Sequence, residues 1–309
     1  MKILYVRIND KIGESVIETC FYRELKRAFP QAYLTVLCCG SETILRTIPY
    51  IDELILLPPA GWRKFAAAFG KIPFFWKQNY DVLISCSPHW RMHFFNAFIR
   101  AKRKIPFAIP SDTPIASAHI EVIKKMGVTV QNTSYELSLP SAARQAAADF
   151  LASKGLSRKP FVFFNPAGNS PRRTLTPARV SEILRALNTL PVLLCNTTGG
   201  YRAENPAVIM WNHSDLLQTA ALVEQAAYVI TVDTSIAHIA ETFHKPMTVL
   251  FSLKNYDNEP AKNLSLLTTW GPRGSHVKRL WAEKSVNDIS PEHIAAATLE
   301  GWSPASKQP

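Results

Sequence analysis

The chain has 309 residues, 47% of them apolar, with 35 Lys+Arg against 24 Asp+Glu, a net charge of +11. The length exceeds one typical core and the apolar content excludes global disorder, so two α/β domains are expected. The basic balance favours an anionic partner such as nucleic acid, a membrane surface or a phosphorylated substrate. No apolar run is long enough to span a bilayer, and Arg7, Asn9, Asp10 and Lys11 interrupt the N-terminal apolar stretch. Neither a membrane span nor a signal peptide is therefore read, and a cytoplasmic protein is expected. Cys20, Cys38, Cys39, Cys86 and Cys195 lack C-x-x-C or zinc spacing and read as reduced, partly buried thiols. Basic residues cluster around 91–104, at Lys124-Lys125 and at Arg172-Arg173, but no RNA-recognition, zinc-finger or basic-zipper signature accompanies them. Nucleic acid is thus not the expected partner.

The first half alternates strands and helices. Residues 2–7 read as a strand, 9–14 as a polar loop with a single glycine, 15–29 as a helix ended by Pro30, and 33–37 as a second strand. Strands follow at 54–57 and 81–85, with a helical stretch over 62–79 broken near Pro73. Residues 87–90 form a loop at a strand's C-terminal end, 92–100 a helix, 104–107 an edge strand, and 115–126 a helix ended by Gly127. The polar run 131–140 reads as the start of a linker, and 142–154 as a helix. Loops at the C-terminal edge of such a sheet are where open α/β folds bind ligands. Neither G-x-G-x-x-G nor G-x-x-x-x-G-K-[ST] occurs, so a dinucleotide fingerprint and a P-loop are both excluded.

The second half restarts with a strand at 161–164, an Asn165-Pro166-Ala167-Gly168 turn and a basic loop through Arg173. A helix at 176–188, a strand at 192–195 running into Thr197-Thr198-Gly199-Gly200, and a short strand at 208–210 follow. Ser214 is expected to cap a helix reaching Ala226. The stretch 228–251 organises the rest: an apolar strand at 228–232, a polar turn, a helix with Ile236, Ile239, Ala240 and Phe243 on one face, His244-Lys245-Pro246, and a strand at 247–251. Asp233, Thr234 or Ser235 caps that helix. A polar turn between a strand end and a helix start suits a phosphate, although an ordinary capped unit has the same pattern. A polar loop at 254–262 and a last helix over 290–302, with Ser290 at N-cap and Pro291 at N1, complete the chain. There is no repeat at solenoid periods.

Three segments resemble the bacterial heptosyltransferases, glycosyltransferase family nine: KILYVRINDKIGESVIETCFYRELKRAFP, FVFFNPAGNSPRRTLTPARV and DLLQTAALVEQAAYVITVDTSIAHIAETFHKPMTVLF. They stand in family order and spacing. The resemblance implies a GT-B fold of two doubly wound Rossmann-like domains facing a central cleft. Residues 1–140 would bind the acceptor and 141–289 a nucleotide sugar, with 290–309 returning toward the first domain. It implies an inverting transfer without metal or cofactor, from ADP-heptose to a phosphorylated inner-core sugar of lipopolysaccharide. The acceptor would be an anionic glycolipid, met peripherally at the cytoplasmic face of the inner membrane.

On that resemblance Glu14, after Gly13, takes the position of the family's general base; a solvated carboxylate favoured by the helix dipole is the alternative. Asp233, Thr234, Ser235 and His238 match the donor-binding motif, with Ser235 in place of the usual Gly. Arg173 is nearest to the family's cation on the leaving diphosphate, and Arg172 is its alternative. Asn165 and Gly168 form the adjoining turn, and Thr198 and Gly199 are candidates for the nucleobase or ribose. Gly13, His89, Trp90 and Arg91 are acceptor candidates, and a plain surface loop is the other reading of the last three. Gly-Asp has become Gly-Glu, Lys-Arg-Trp has become Arg173-Thr174-Leu175, and Ser252 stands where Gly is usual. A GT-B-like sugar-nucleotide epimerase and a non-catalytic sugar-nucleotide binder remain as alternatives.

Overall fold

The structure is a computed structural model, and it describes residues 1–7, 11–58, 63–85, 90–106, 115–203, 205–255, 271–272 and 274–303. The chain divides into two compact units, Met1–Ser138 and Leu139–Pro309. Among the described residues, no helix is long and apolar enough to cross a membrane.

The first unit holds β1 (Lys2–Arg7), β2 (Tyr33–Cys39), β3 (Glu53–Leu57), β4 (Tyr80–Ser85) and β5 (Ala101–Pro106) in one parallel sheet, ordered β3-β2-β1-β4-β5. Ile3, Leu4, Tyr5 and Val6 of central β1 are fully buried, as a strand covered on both faces requires. Each such aliphatic side chain contributes roughly 1.5–3 kcal/mol on burial. The edge strand β5 begins earlier than expected because Lys102, Arg103 and Lys104, exposed on a sheet edge, disguise it as loop.

The second unit holds β6 (Val162–Asn165), β7 (Val192–Cys195), β8 (Val208–Trp211), β9 (Tyr228–Val232), β10 (Met247–Ser252) and β11 (Val277–Ala282). Its parallel sheet runs β11-β10-β9-β6-β7-β8. Renumbered within the unit, that is the order 3-2-1-4-5-6 of a full dinucleotide-type fold. The edge strand β11 has no counterpart in the sequence reading, since its alternately exposed, basic sequence VKRLWA carries little apolar signal.

The expected helix at 15–29 is two helices. The first, α1 (Ile12–Ile17), starts inside the expected loop, so Gly13 and Glu14 lie in its first turn, and α2 (Thr19–Ala28) follows. The break at 62–79 falls at Lys71, between α4 (Arg63–Gly70) and α5 (Ile72–Gln78), with Pro73 in the first turn of α5. The short helix α3 (Glu42–Leu45) is unannounced. The segment 131–138 is no free linker. Arg23 donates to Asn132 O at 2.8 Å and Ser134 O at 3.0 Å, and Gln131 N donates to Glu24 at 2.8 Å. These bonds strap it along α2.

Later helices are α6 (Trp90–Phe98), α7 (Ile115–Lys124), α8 (Ser141–Ser153), α9 (Pro177–Ala186), α10 (Leu216–Gln225), α11 (Ser235–Thr242) and α12 (Pro291–Gly301). Asp215, not Ser214, caps α10, accepting from Gln218 N at 2.8 Å. The last helix, α12, packs on α9 and β10 within the second unit, and Ala297 O accepts from the Tyr228 hydroxyl at 3.3 Å. Cys20, Cys38, Cys39 and Cys195 are buried thiols; Cys86 lies outside the described residues.

Candidate functional site

In each sheet the strand order reverses once, between β1 and β4 in the first unit and between β6 and β9 in the second. The C-terminal ends of those strands are where an open α/β sheet leaves a crevice. Among the described residues, Gly13, Glu14 and Trp90 follow the strands at the first place, and Asn165, Gly168, Arg172, Arg173, Asp233, Thr234, Ser235 and His238 end or follow those at the second.

In the first unit β1 ends at Arg7, whose side chain is buried. Its Nη2 donates to Lys11 O at 2.8 Å, and its Nε lies 2.7 Å from Glu18 Oε2. Lys11 is the N-cap of α1 and Glu18 its C-cap. One guanidinium thus ties down both ends of the helix that carries Gly13 and Glu14. Glu14 is half-buried and its Oε1 lies 3.1 Å from Lys11 Nζ. Behind it, Glu18 accepts from Tyr22 OH at 3.0 Å and lies 3.8 Å from His119 Nε2, whose Nδ1 meets Tyr5 OH at 3.4 Å.

Burial pushes the Glu18 carboxyl up to about 7, against the pull of Arg7. Burial alone would lower Arg7, but Glu18, with smaller help from Tyr22, Glu14 and Tyr5, reverses this and holds the guanidinium charged. His119 is driven down to about 3 by burial and by Arg7. Trp90, the first residue of α6, is 66% exposed. His89 and the side chain of Arg91 lie outside the described residues.

In the second unit β6 ends at Asn165, which is buried. Its Nδ2 donates to Thr231 Oγ1 at 3.0 Å and to Thr234 Oγ1 at 3.1 Å. Thr234 is the N-cap of α11: its backbone is extended and its Oγ1 accepts from Ile236 N at 3.3 Å. Asn165 is therefore a strut that sets the start of α11. Thr231 completes it, and its signal in the sequence is a lone hydroxyl inside the buried strand VITV. Ser235 has no positive φ, so replacing Gly there asks nothing of the backbone.

Gly168 is demanded by space rather than by φ. A Cβ on it would meet the Arg173 carbonyl oxygen and, at 2.8 Å, the Arg173 Cβ. Thr174 closes the same turn, accepting from Gly168 N at 3.1 Å and donating to Ser170 O at 2.9 Å. The turn delivers the Arg173 guanidinium to Asp233, with Nη2 2.9 Å from Oδ2 and donating also to the Asp233 carbonyl. Arg172 points elsewhere: it is exposed and donates to Lys254 O at 3.1 Å. Arg173 is thus the cation at the start of α11.

His238 is not among the apolar-stripe residues Ile236, Ile239, Ala240 and Phe243, yet it is buried, because Ile236, Ala237, Ile239 and Ala240 are buried around it and the helix is covered nearly all round. Burial holds its imidazole down at about 4, with Arg173 adding and Asp233 opposing. At neutral pH it offers a hydrogen bond, not a charge. Thr198 and Gly199 follow β7, one strand from the reversal, and are exposed. Gly199 has φ +69°, which its turn requires, and donates to Asn196 O at 3.0 Å. Tyr201 OH donates to Leu175 O at 3.0 Å, joining this loop to the Arg173 turn.

The second sheet's edge therefore brings together a helix N-terminus, two hydroxyls and a guanidinium, a set suited to a diphosphate. The first presents a carboxylate in a first helical turn. Among the described residues, no group of three or more His, Cys, Asp or Glu stands ready for a metal ion.

No curated protein matches this sequence. Solved structures do. A glycosyltransferase family 9 protein from Veillonella parvula DSM 2008 is 17% identical, with a TM-score of 0.79 over 97% of this chain and 96% of its own. The E. coli ADP-heptose LPS heptosyltransferase II is 14% identical, with a TM-score of 0.72 over 97% and 98% of the two chains. E. coli heptosyltransferase WaaC, solved with ADP, is 13% identical, with a TM-score of 0.73 over 97% and 100%. At these identities the likeness shows the fold, which is GT-B, with a Rossmann-like sheet in each unit. Residues 77–278 match the family described as Glycosyltransferase family 9 (heptosyltransferase), about two thirds of the chain. The chain belongs to glycosyltransferase family 9, the heptosyltransferases.

Proposed function

We propose that this glycosyltransferase moves heptose from ADP-heptose to a phosphorylated inner-core sugar of lipopolysaccharide, with inversion and without a metal or cofactor. The observation that carries the reading is the start of α11, where Thr234, Ser235 and the Arg173 guanidinium share one sheet edge in a family 9 chain. The donor's diphosphate lies there, and Asn165 and Gly168 hold the two walls of its seat. Thr198 and Gly199 serve the nucleoside. His238 supports α11 as a neutral imidazole. Gly13, His89, Trp90 and Arg91 border the acceptor, an anionic glycolipid at the cytoplasmic face of the inner membrane.

Glu14 is the base. The acceptor hydroxyl oxygen forms a bond to the anomeric carbon as the carbon–diphosphate bond breaks on the opposite face. The hydroxyl proton passes to the Glu14 carboxylate, and ADP departs with the bonding electron pair. Negative charge grows on the diphosphate during the step, so Arg173 and the α11 dipole stabilise the transition state more than the ground state. Arg173 has to turn part of its charge from Asp233 to the diphosphate, which ties donor binding to a change in that ion pair.

The test is incubation with ADP-heptose and a phosphorylated core acceptor, reading ADP release, the mass of one heptose on the acceptor, and its anomeric configuration, with and without a chelator. Inverted product at equal rate in both is the expected outcome. Absence of turnover with ADP-heptose, alongside transfer from a GDP- or UDP-sugar, would replace the donor within the same family reading.

A further inference from the structure

The first unit carries an aromatic face that runs from the acceptor candidate Trp90 along α6, away from the residues given a role in the transfer. Trp90, Phe94 and Phe98 recur at four-residue spacing along α6 and are 66%, 54% and 42% exposed. Beside them on α5, Trp76 is 39% exposed. Phe94 and Phe98 rings meet edge-on at 4.9 Å, and both pack on Phe69 of α4. The Trp76 indole donates to Phe98 O at 2.6 Å, which joins the two helices.

The border of this patch is basic. Arg100 lies 4.8 Å over the Trp76 ring, Lys77 is exposed in the last turn of α5, and Lys104 Nζ donates to Asn96 O at the end of α6. Residues 63–106 contain nine Lys or Arg and one acid, Asp81, a net of +8 within the chain's +11. Asp81 is itself paired with Lys102 at 2.7 Å.

We infer that this α5–α6 face docks on the surface of an anionic lipid bilayer. Exposed Trp and Phe beside Lys and Arg is the composition that partitions into a headgroup layer: rings enter the acyl boundary while cations stay among lipid phosphates. The Phe rings are packed against one another as a joined apolar surface, which favours a lipid layer over single-stranded nucleic acid, whose bases need separate ring faces. Trp90 also opens α6 beside the C-terminal end of β4, so docking sets the acceptor end of the first sheet at the membrane. The inference deepens the proposed glycolipid acceptor and rests on it for its purpose.

The experiment is flotation of the full chain with vesicles of phosphatidylethanolamine and phosphatidylglycerol, and separately of phosphatidylcholine alone. Binding to the anionic vesicles, weakened by salt and nearly absent on phosphatidylcholine, is expected. The doubly charge-reversed Lys77→Glu/Arg100→Glu, altered at exposed positions only, should partition roughly 25-fold less well, on the basis of about fivefold per basic residue. Phe94→Ser should lose about fivefold. Both variants should transfer sugar to a delipidated core oligosaccharide at the parent rate. Equal binding to both vesicle types, variants that float like the parent, or an oligothymidylate bound as tightly as the anionic vesicles would overturn the inference. Intact docking without sugar transfer would instead count against the proposed function alone.

Discussion

The two sheet edges solve different physical problems with different materials. The second sheet's edge is built from neutral groups, the Asn165 amide and the Thr231 and Thr234 hydroxyls, so the positive end of α11 stays available and Arg173 is balanced by one carboxylate, Asp233. The first sheet's edge is built from buried charge: Arg7 clamps α1 at Lys11 and Glu18. Neutral struts suit a site that is to receive an anion. A buried cation suits a site that must hold a carboxylate in one place. The contrast teaches that the second edge should be sensitive to shape and acid, and the first to loss of a charge.

Breaking the first edge has the largest expected effect. Glu14→Gln should lower transfer by about 10²–10⁴-fold, the range for a lost general base, while ADP affinity by calorimetry stays at the parent value. An unchanged rate removes Glu14 from the role. Glu18→Ala leaves Arg7 buried without its carboxylate, and denaturant unfolding of the first unit should show a loss of about 3–5 kcal/mol. A loss under about 1 kcal/mol would mean that water reaches the guanidinium.

Acid separates the edges further. His238 is held near 4 when folded, below the ordinary 6.5, so its contribution is complete above pH 6.5 and is lost as pH falls toward about 4. The loss reaches about 3 kcal/mol. In the first unit His119 has the same sign, but Glu18, raised from 4.5 to about 7, takes up its proton more readily folded than unfolded. Glu18 therefore adds stability as pH falls from about 7 to 4.5 and offsets His119 over that window. His238→Gln should flatten the acid limb of the second unit's melting curve, and a curve unchanged from the parent would contradict the assignment. The smallest effect lies at the end of α11, where His244 has φ +50° and Lys245 N closes on Ala240 O at 3.0 Å. His244→Gly relieves that left-handed residue and should raise stability by about 0.5–1 kcal/mol in a thermal melt.

What was legible in the sequence follows from where the signal is local. Apolar β-branched runs announced the buried strands of both sheets, and Pro177, Pro246 and Pro291 marked helix boundaries. The Asp233–His238 turn and the Asn165–Arg173 turn were found as separate motifs. Their meeting was not legible, because it depends on β6 and β9 pairing across some sixty residues, as in Asn165 opposite Thr231. The edge strands β5 and β11 were misread or missed because one exposed face and several Lys and Arg dilute the apolar alternation. Glu18 passed unnoticed because an acid four residues into a helix usually faces water. Only the fold turns it under Arg7 and His119. The burial of His238 is not legible because apolar spacing marks only one stripe of a helix that is covered on almost every side.

A crystal structure with ADP bound tests the central claim most directly. The account predicts the diphosphate at the first turn of α11, with Thr234, Ser235 and Arg173 in contact and the Arg173–Asp233 distance lengthened from 2.9 Å. A diphosphate seated away from α11, with that ion pair unchanged, would contradict it.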